Sequence, residues 1–503
     1  MASSYRSFKS ILAEHAHRFP DKIFLHSIHQ DQSITYGELF ALSNRIAHFL
    51  DDAGICANDR VLVLADNSIE CAAVYLGVLR HGATVALINV ALNRAHLADQ
   101  VAAVAPKLLL YREGLDLTAL GVRAPAACLA LGSLRRSTGL FAELAGRPEA
   151  GDRPSLAGPE DHASIFYTSG TTAKPKGVVY SHSTLFHNFD AVADGLQLSD
   201  SDRVLEFRAL SWISPQLNSF GSSLVRGASM FLARDFSAFS YFDWLRSFRI
   251  TVGFCIPVGI NLLLERGARI GPQDLPHLRF MTSSSAPLPV EQWRRFEATF
   301  GIKLAAHGGT SECGLIAATH CDNRRIGAVG RPVKYQQVRV LDSDGRALGP
   351  GEIGEIYVGG GKQQADAFLS PDGRLIQRCA DSLSTGDLGY LDRDGYLWIT
   401  GRIKDVVIRA GINIAPAEID EILIAHPGID DAATVGVADP VYGQRLVCYV
   451  VRSAGSDLGV DEVLAHCRGT LPKIKVPSAV EFVDALPRTE RGKVNRNALA
   501  VGG

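Results

Sequence analysis

Between residues 60 and 104 the sequence changes period three times. Residues 60–64 and 84–88 are short apolar runs with the length and β-branching of buried strands. Residues 68–82 and 94–104 carry helical spacing, and the first closes on His81-Gly82, where glycine suits a helix C-cap. Strands that alternate with helices in this way commit the chain to a mainly parallel sheet covered on both faces. Helical patterns at 8–17 and 36–50 and paired strands at 22–28 and 33–36 precede this region. Residues 112–160 are rich in Gly, Ala, Pro and Arg and are expected to be variable surface structure. At 503 residues the chain exceeds one ordinary core, so at least two domains are expected.

The densest chemistry follows the strand pattern at 163–167. Tyr167-Thr168-Ser169-Gly170-Thr171-Thr172-Ala173-Lys174-Pro175-Lys176-Gly177 places four hydroxyls, glycines and two lysines before a second strand, Val178-Val179-Tyr180. Glycine allows close approach of backbone to a ligand. Successive backbone N–H groups in such a turn form an anion-binding concavity, and hydroxyls and lysines add donors and charge. A polyphosphate fits. The Gly-Lys-Ser/Thr ending of a Walker loop is absent.

This stretch resembles the phosphate loop of the adenylate-forming superfamily, which includes acyl- and aryl-CoA synthetases, luciferases and peptide-synthetase adenylation domains. Ala173 replaces one of that loop's glycines. Four more motifs follow in the family's order. Ser283-Ser284-Ser285-Ala286-Pro287-Leu288, a helix at 290–300 and His307-Gly308-Gly309-Thr310-Ser311-Glu312 resemble its second nucleotide segment. Ser384-Thr385-Gly386-Asp387 resembles its Thr-Gly-Asp motif, and Arg402 a further ribose contact. Ile403-Lys404-Asp405 resembles its interdomain hinge. Leu486-Pro487-Arg488-Thr489-Glu490-Arg491-Gly492-Lys493 resembles its terminal lysine motif. The likeness runs over about residues 8–499.

The resemblance implies a fold and a set of roles. The fold is α/β: a large multi-subdomain N-terminal region, residues 1–403, with mainly parallel sheets, and a small mobile α+β domain, residues 404–503. The implied activity is an AMP-forming acid–CoA ligase, with ATP, Mg²⁺ and coenzyme A. Thr168, Ser169, Gly170, Thr171, Thr172, Lys174 and Lys176 would hold phosphates. Ser285, Ala286, Pro287, Gly308, Gly309, Thr310 and Ser311 would line the nucleotide. Glu312 would hold the metal, since Mg²⁺ takes one or two carboxylates plus phosphate oxygens. Asp387 and Arg402 would bind the ribose, and Lys404 would be the pivot. Gly411 and Tyr442 would lie near the thiol channel. Lys493 would act in adenylation, with Thr168 and Glu312 as the other catalytic residues.

Three departures stand out. Gly308 replaces the family's adenine-stacking aromatic. The histidine that many acyl and aryl ligases carry is missing, the local sequence being Ser211-Trp212-Ile213-Ser214. Arg208 stands where amino-acid-activating members carry an aspartate, which disfavours an α-amino acid substrate. Arg208, Trp212, Val258 and Gly259 are expected to border the acid, which the sequence leaves open among aliphatic, aromatic and dicarboxylic classes. A carrier-protein loader and a non-catalytic nucleotide binder are the alternative readings. The formal charge of −2 gives no support for nucleic-acid binding. No apolar run reaches the roughly 18 residues of a membrane span. Nine scattered cysteines without a CxxC pair fit a reduced, cytoplasmic protein. A monomer and a homodimer both remain open.

Overall fold

The computed structural model describes residues 4–91, 94–150, 153–167, 176–320, 322–489 and 492–500. The phosphate loop expected at 168–175 lies outside them; Lys176, its last lysine, is exposed.

Two large sheets form the N-terminal region. In the first, Thr84–Ile88, Arg60–Leu64, Leu108–Tyr111 and Ala127–Ala130 run parallel beside His162–Tyr167, which pairs antiparallel with Gly177–Ser181. The second is parallel from Leu304–Thr310 through Phe280–Ser283, Val252–Gly253, Arg203–Glu206 and Ser229–Leu232 to Ile23–Ser27. The helix Ile69–His81 is buried along its whole length, so its spacing reads as continuously apolar. Its ends are closed as the sequence implies: Ser68 Oγ accepts from the Cys71 N–H, and Gly82 has φ 108°.

Not every sheet is parallel. Gln337–Leu341, Gly354–Gly359, Leu383–Leu391 and Leu397–Arg402 form a wholly antiparallel four-stranded sheet. After the short 3₁₀ turn Ile403–Asp405, the chain enters a five-stranded sheet built around Ile429–Asp439 and Gly443–Arg452. The helices Pro416–Ile424 and Val460–Thr470 pack on it through Ile419, Leu423, Val463 and Cys467.

Three features depart from what the local sequence suggests. Residues 112–160 contain the strand Ala127–Ala130 and the helical turn Leu140–Glu143, so this stretch extends the first sheet. Residues 210–221, with their Ser, Pro and Asn residues, are largely helical. Ile213–Pro215 leads into a buried π segment, Gln216–Gly221, and then Ser222–Arg226. Local propensity is poor there, but burial and side-chain bonds override it: Ser219 Oγ donates to Glu206 and Ser222 Oγ to the Asn218 carbonyl. Finally, His307, Gly308, Gly309 and Thr310 belong to a strand; the turn falls at residues 311–313.

Candidate active site

The site gathers where parallel strands of the second sheet end. Arg203–Glu206 runs out to Arg208, Val252–Gly253 to the helix Pro257–Arg266, and Phe280–Ser283 to Ser284 and Ser285. Open α/β sheets bind ligands outside the carboxyl ends of their strands.

Asp387 is nearly buried, and its Oδ1 accepts from Arg402 Nε at 2.8 Å. Thr385 Oγ1 accepts from the Asp387 N–H at 3.1 Å and donates to the Ile356 carbonyl at 2.8 Å, which fixes the turn that presents the carboxylate. Burial pushes the Asp387 carboxyl up, while the charges of Arg402 and Lys493 pull it down. Lys493, on the small domain, is thus near enough for its charge to act on the Asp387 carboxylate of the large one. Its neighbour Gly492 is so placed that a Cβ there would lie 3.3 Å from Val258 Cγ1. Sequence positions 258, 387, 402 and 493 thus converge.

Glu312 sits on the turn between Leu304–Thr310 and Gly314–Ala318. Tyr180 Oη donates to the Ser311 carbonyl at 3.0 Å, and the Ala365 N–H donates to the Glu312 carbonyl at 2.8 Å. Cys313 N–H bonds Thr310 Oγ1 at 3.1 Å. The turn is tied through Tyr180 to the strand Gly177–Ser181. Gly309 is obligatory: a Cβ there would fall 2.0 Å from the Gly314 carbonyl oxygen. Gly308 has no positive φ, but its Cβ would meet Val329 Cγ1 at 2.8 Å, so a valine occupies the space in which a side chain at 308 would begin. Ser285 takes φ 73°, a left-handed conformation that costs a non-glycine residue roughly 1–2 kcal/mol. Ala286 is half-buried and Pro287 exposed beside it.

Arg208 differs from its expected form. It is 2% exposed, and Glu206, fully buried, holds it from Nε at 2.8 Å and Nη2 at 2.6 Å. Its Nη1 donates to Ser214 Oγ at 2.8 Å and Ser284 Oγ at 3.1 Å. The charge is balanced internally, so Arg208 does not repel an ammonium as a bare cation would. Its guanidinium lies 5.4 Å from the Phe254 ring centroid, and Phe254 meets His307 edge-on at 5.7 Å. His307 is fully buried with neither ring nitrogen bonded, and burial, with Arg208 nearby, lowers its pKa to about 3. Trp212 is half-buried at the start of the π-containing helix, and Gly259 is packed so that a Cβ would meet Cys255 Sγ at 2.8 Å. Glu206 and His307 were not among the expected site residues. A glutamate two positions before Arg208, on one strand face, was the available signal for Glu206.

The remaining expected residues lie on the small domain and the junction. Lys404 is exposed within the turn Ile403–Asp405. Ala410 and Gly411, at φ 51° and 78°, form a two-residue hairpin loop between Val407–Arg409 and Ile412–Ile414. The Ala410 N–H bonds the Tyr442 carbonyl at 2.8 Å, and both Gly411 and the Tyr442 ring are exposed. The Lys493 end of the small domain thus faces the large domain while the 410–411 turn faces solvent.

The family description "AMP-binding enzyme" matches residues 12–365, and "AMP-binding enzyme C-terminal domain" matches residues 418–493. The chain belongs to this adenylate-forming family and is an AMP-forming acid–CoA ligase in type. It is 33% identical to a sulfoacetate–CoA ligase of Cupriavidus necator, over 98% of this chain and 97% of that protein. It is 29% identical to an oxalate–CoA ligase of Arabidopsis thaliana, over 98% of each. Its fold matches ATP-bound MatB from Rhodopseudomonas palustris with a TM-score of 0.88 at 28% identity, over 98% of both chains, and apo MatB with 0.83.

Proposed function

We propose that this chain activates a short carboxylic acid bearing a second polar or anionic group, and passes the acyl group to free coenzyme A. The observation that carries the residue assignment is the convergence of Lys493, Asp387, Arg402 and Val258 from two domains. The division is 1–403 and 404–503, with Lys404 at the pivot.

A carboxylate is unreactive because oxide is a poor leaving group. The acid's oxygen attacks the α-phosphorus of ATP, the bond to pyrophosphate breaks, and an acyl-adenylate forms. Two anions meet in this step, so oriented positive charge dominates catalysis. Lys493, a compact ammonium on a flexible stem, bridges the carboxylate and the α-phosphate. Asp387 accepts from the ribose hydroxyls, with Arg402 holding its carboxylate. The loop 168–176 takes the outer phosphates. Ser285, Ala286, Pro287 and residues 308–311 line the nucleotide. The Glu312 carboxylate has no partner among the described residues, which suits a cation completed by phosphate oxygens; among the described residues no cluster of three metal-binding side chains exists. Mg²⁺ held by Glu312 would neutralise phosphate charge. In the second step the thiolate attacks the acyl carbon, AMP leaves, and the thiol proton goes to solvent. Gly411 and Tyr442 serve this step once the small domain has turned.

Sulfoacetate and oxalate, the acids in the relatives' names, are short dianions. Arg208, Ser284 and His307 are buried, and Arg208 bonds both Ser284 and the half-buried Ser214. Such groups are costly to leave against an alkyl chain, which supports a polar acid. The protein is further proposed to be cytoplasmic. All eight described cysteines are unpaired, and no helix among the described residues is long and apolar enough to cross a membrane.

The test is AMP release from ATP with sulfoacetate, oxalate, malonate, indoleacetate and octanoate, with and without coenzyme A. Turnover with a short dianion that depends on free coenzyme A supports the reading. Preference for octanoate overturns the acid class, and turnover only with a carrier protein overturns the acceptor.

A further inference from the structure

We propose that Arg488 and Arg496 are positioning residues that staple the two feet of the Lys493 hairpin to one strand and so fix where the ammonium points; this rests on the reading of Lys493 above.

The hairpin is slight. Arg488 bridges Val494; the Thr489 N–H bonds the Lys493 carbonyl at 2.7 Å, and the Gly492 N–H the Thr489 carbonyl at 2.8 Å. An isolated two-stranded hairpin is at best marginal in water. Each foot carries an arginine. Before the turn, Arg488 Nη1 donates to the Gly492 carbonyl at 2.8 Å, and its Nη2 is ion-paired with Asp431. After it, Arg496 Nε donates to the Thr434 carbonyl at 3.2 Å, and its Nη2 is ion-paired with Asp420. Asp420 Oδ1 in turn accepts from the Thr434 N–H at 2.6 Å. Asp431 and Thr434 lie on the same strand, Ile429–Asp439.

Burial pushes both carboxyls up and their arginines pull them down, so each carboxylate leans on its arginine. The apolar anchoring of this segment is separate: Leu486 and Leu499 are buried with Ala433, Val435, Val447 and Tyr449. The arginines add direction to a segment already held by its apolar ends. The ammonium swings on four methylenes, so the placing of the Lys493 backbone sets the volume that the charge can reach. A displacement near 1 Å in a reacting constellation costs up to about 10²-fold in rate.

The test uses full-length Arg488→Gln and Arg496→Gln, with Lys493→Ala alongside. Adenylation is read as ATP–pyrophosphate exchange with the best acid of the panel above, and transfer as acyl-CoA formation from supplied acyl-adenylate. Each Gln variant is expected to lose about 10- to 100-fold in exchange and less than about 3-fold in transfer. Arg488→Lys, which keeps the charge without the fork, should recover part of the exchange rate. Equal loss in both half-reactions overturns the proposal, as does unchanged exchange. If a Gln variant fails to fold, Asp431→Asn is read by the same split. If Lys493→Ala slows both steps alike, the underlying reading of Lys493 fails, independently of the staples.

Discussion

Arg402 and Asp387 face each other directly across neighbouring antiparallel strands, and the guanidinium Nε reaches the carboxylate at 2.8 Å. The ion pair engages one carboxylate oxygen, Oδ1. Hydrogen bonds to a charged group contribute about 1.5–3 kcal/mol each. Asp387→Asn should therefore raise the ATP KM by about 10- to 100-fold while the KM for the acid changes little. Initial rates against both substrates check this; equal changes in the two would place Asp387 outside the nucleotide site.

The space beside Gly308 belongs to Val329. Gly308→Ala should destabilise the protein by about 1–3 kcal/mol, the usual cost of overpacking, and Val329→Ala should relieve most of it in the double variant. Gly308→Tyr alone tests crowding rather than stacking. Gly308→Tyr with Val329→Ala should lower the ATP KM by up to about tenfold if a ring there covers the adenine. Melting temperature and ATP KM on the four proteins separate the two effects.

Lys404 lies in a single 3₁₀ turn between the last strand of the large region and the first of the small sheet. Hinges are a few such positions that absorb a large backbone change. Proline fixes φ near −65° and restricts the residue before it. Lys404→Pro should leave adenylation within a few fold of the parent and slow CoA-dependent release by more than tenfold. Single-turnover formation and decay of acyl-adenylate is the measurement; parent-like release would move the pivot elsewhere.

Burial raises the Asp420 carboxyl to about 6, against the pull of Arg496. The folded state then holds a proton that the unfolded chain, near 3.9, releases. Stability from this group is full below about pH 4 and is lost as pH rises through about 6. Asp420→Asn abolishes that dependence. The stability of the variant relative to the parent should rise between pH 4 and pH 7, by up to roughly 3 kcal/mol at 1.36 kcal/mol per unit. Urea unfolding of both proteins at several pH values reads it; a constant difference would show that Asp420 titrates normally.

Much of the architecture was legible because local pattern and burial agree. The helices at 94–104 and 290–300 and the strands at 60–64 and 84–88 fall where the sequence pattern puts them. The stretch 210–221 was not legible. Its Ser, Pro and Asn residues disfavour a helix, and only contacts with Glu206 and the surrounding core make a π segment there worthwhile. Glycines usually mark turns, yet Gly308 and Gly309 lie in a strand and Gly309 lets it approach its neighbour closely.

Sequence alone determined the class of chemistry. Hydroxyls, glycines, lysines, a Thr-Gly-Asp and a terminal lysine appear in the order of the adenylate-forming family, and that resemblance implied nucleotide-driven acid activation. It did not determine which charges are available. Arg208 read as a cation in the acid pocket, but Glu206 neutralises it, and folding pairs Arg488 with Asp431 and Arg496 with Asp420. A side chain's type is local, whereas its net charge and direction depend on partners brought near by folding. The meeting of Lys493 with Asp387, more than a hundred positions apart, is set by the docking of one domain on another, which no local pattern encodes.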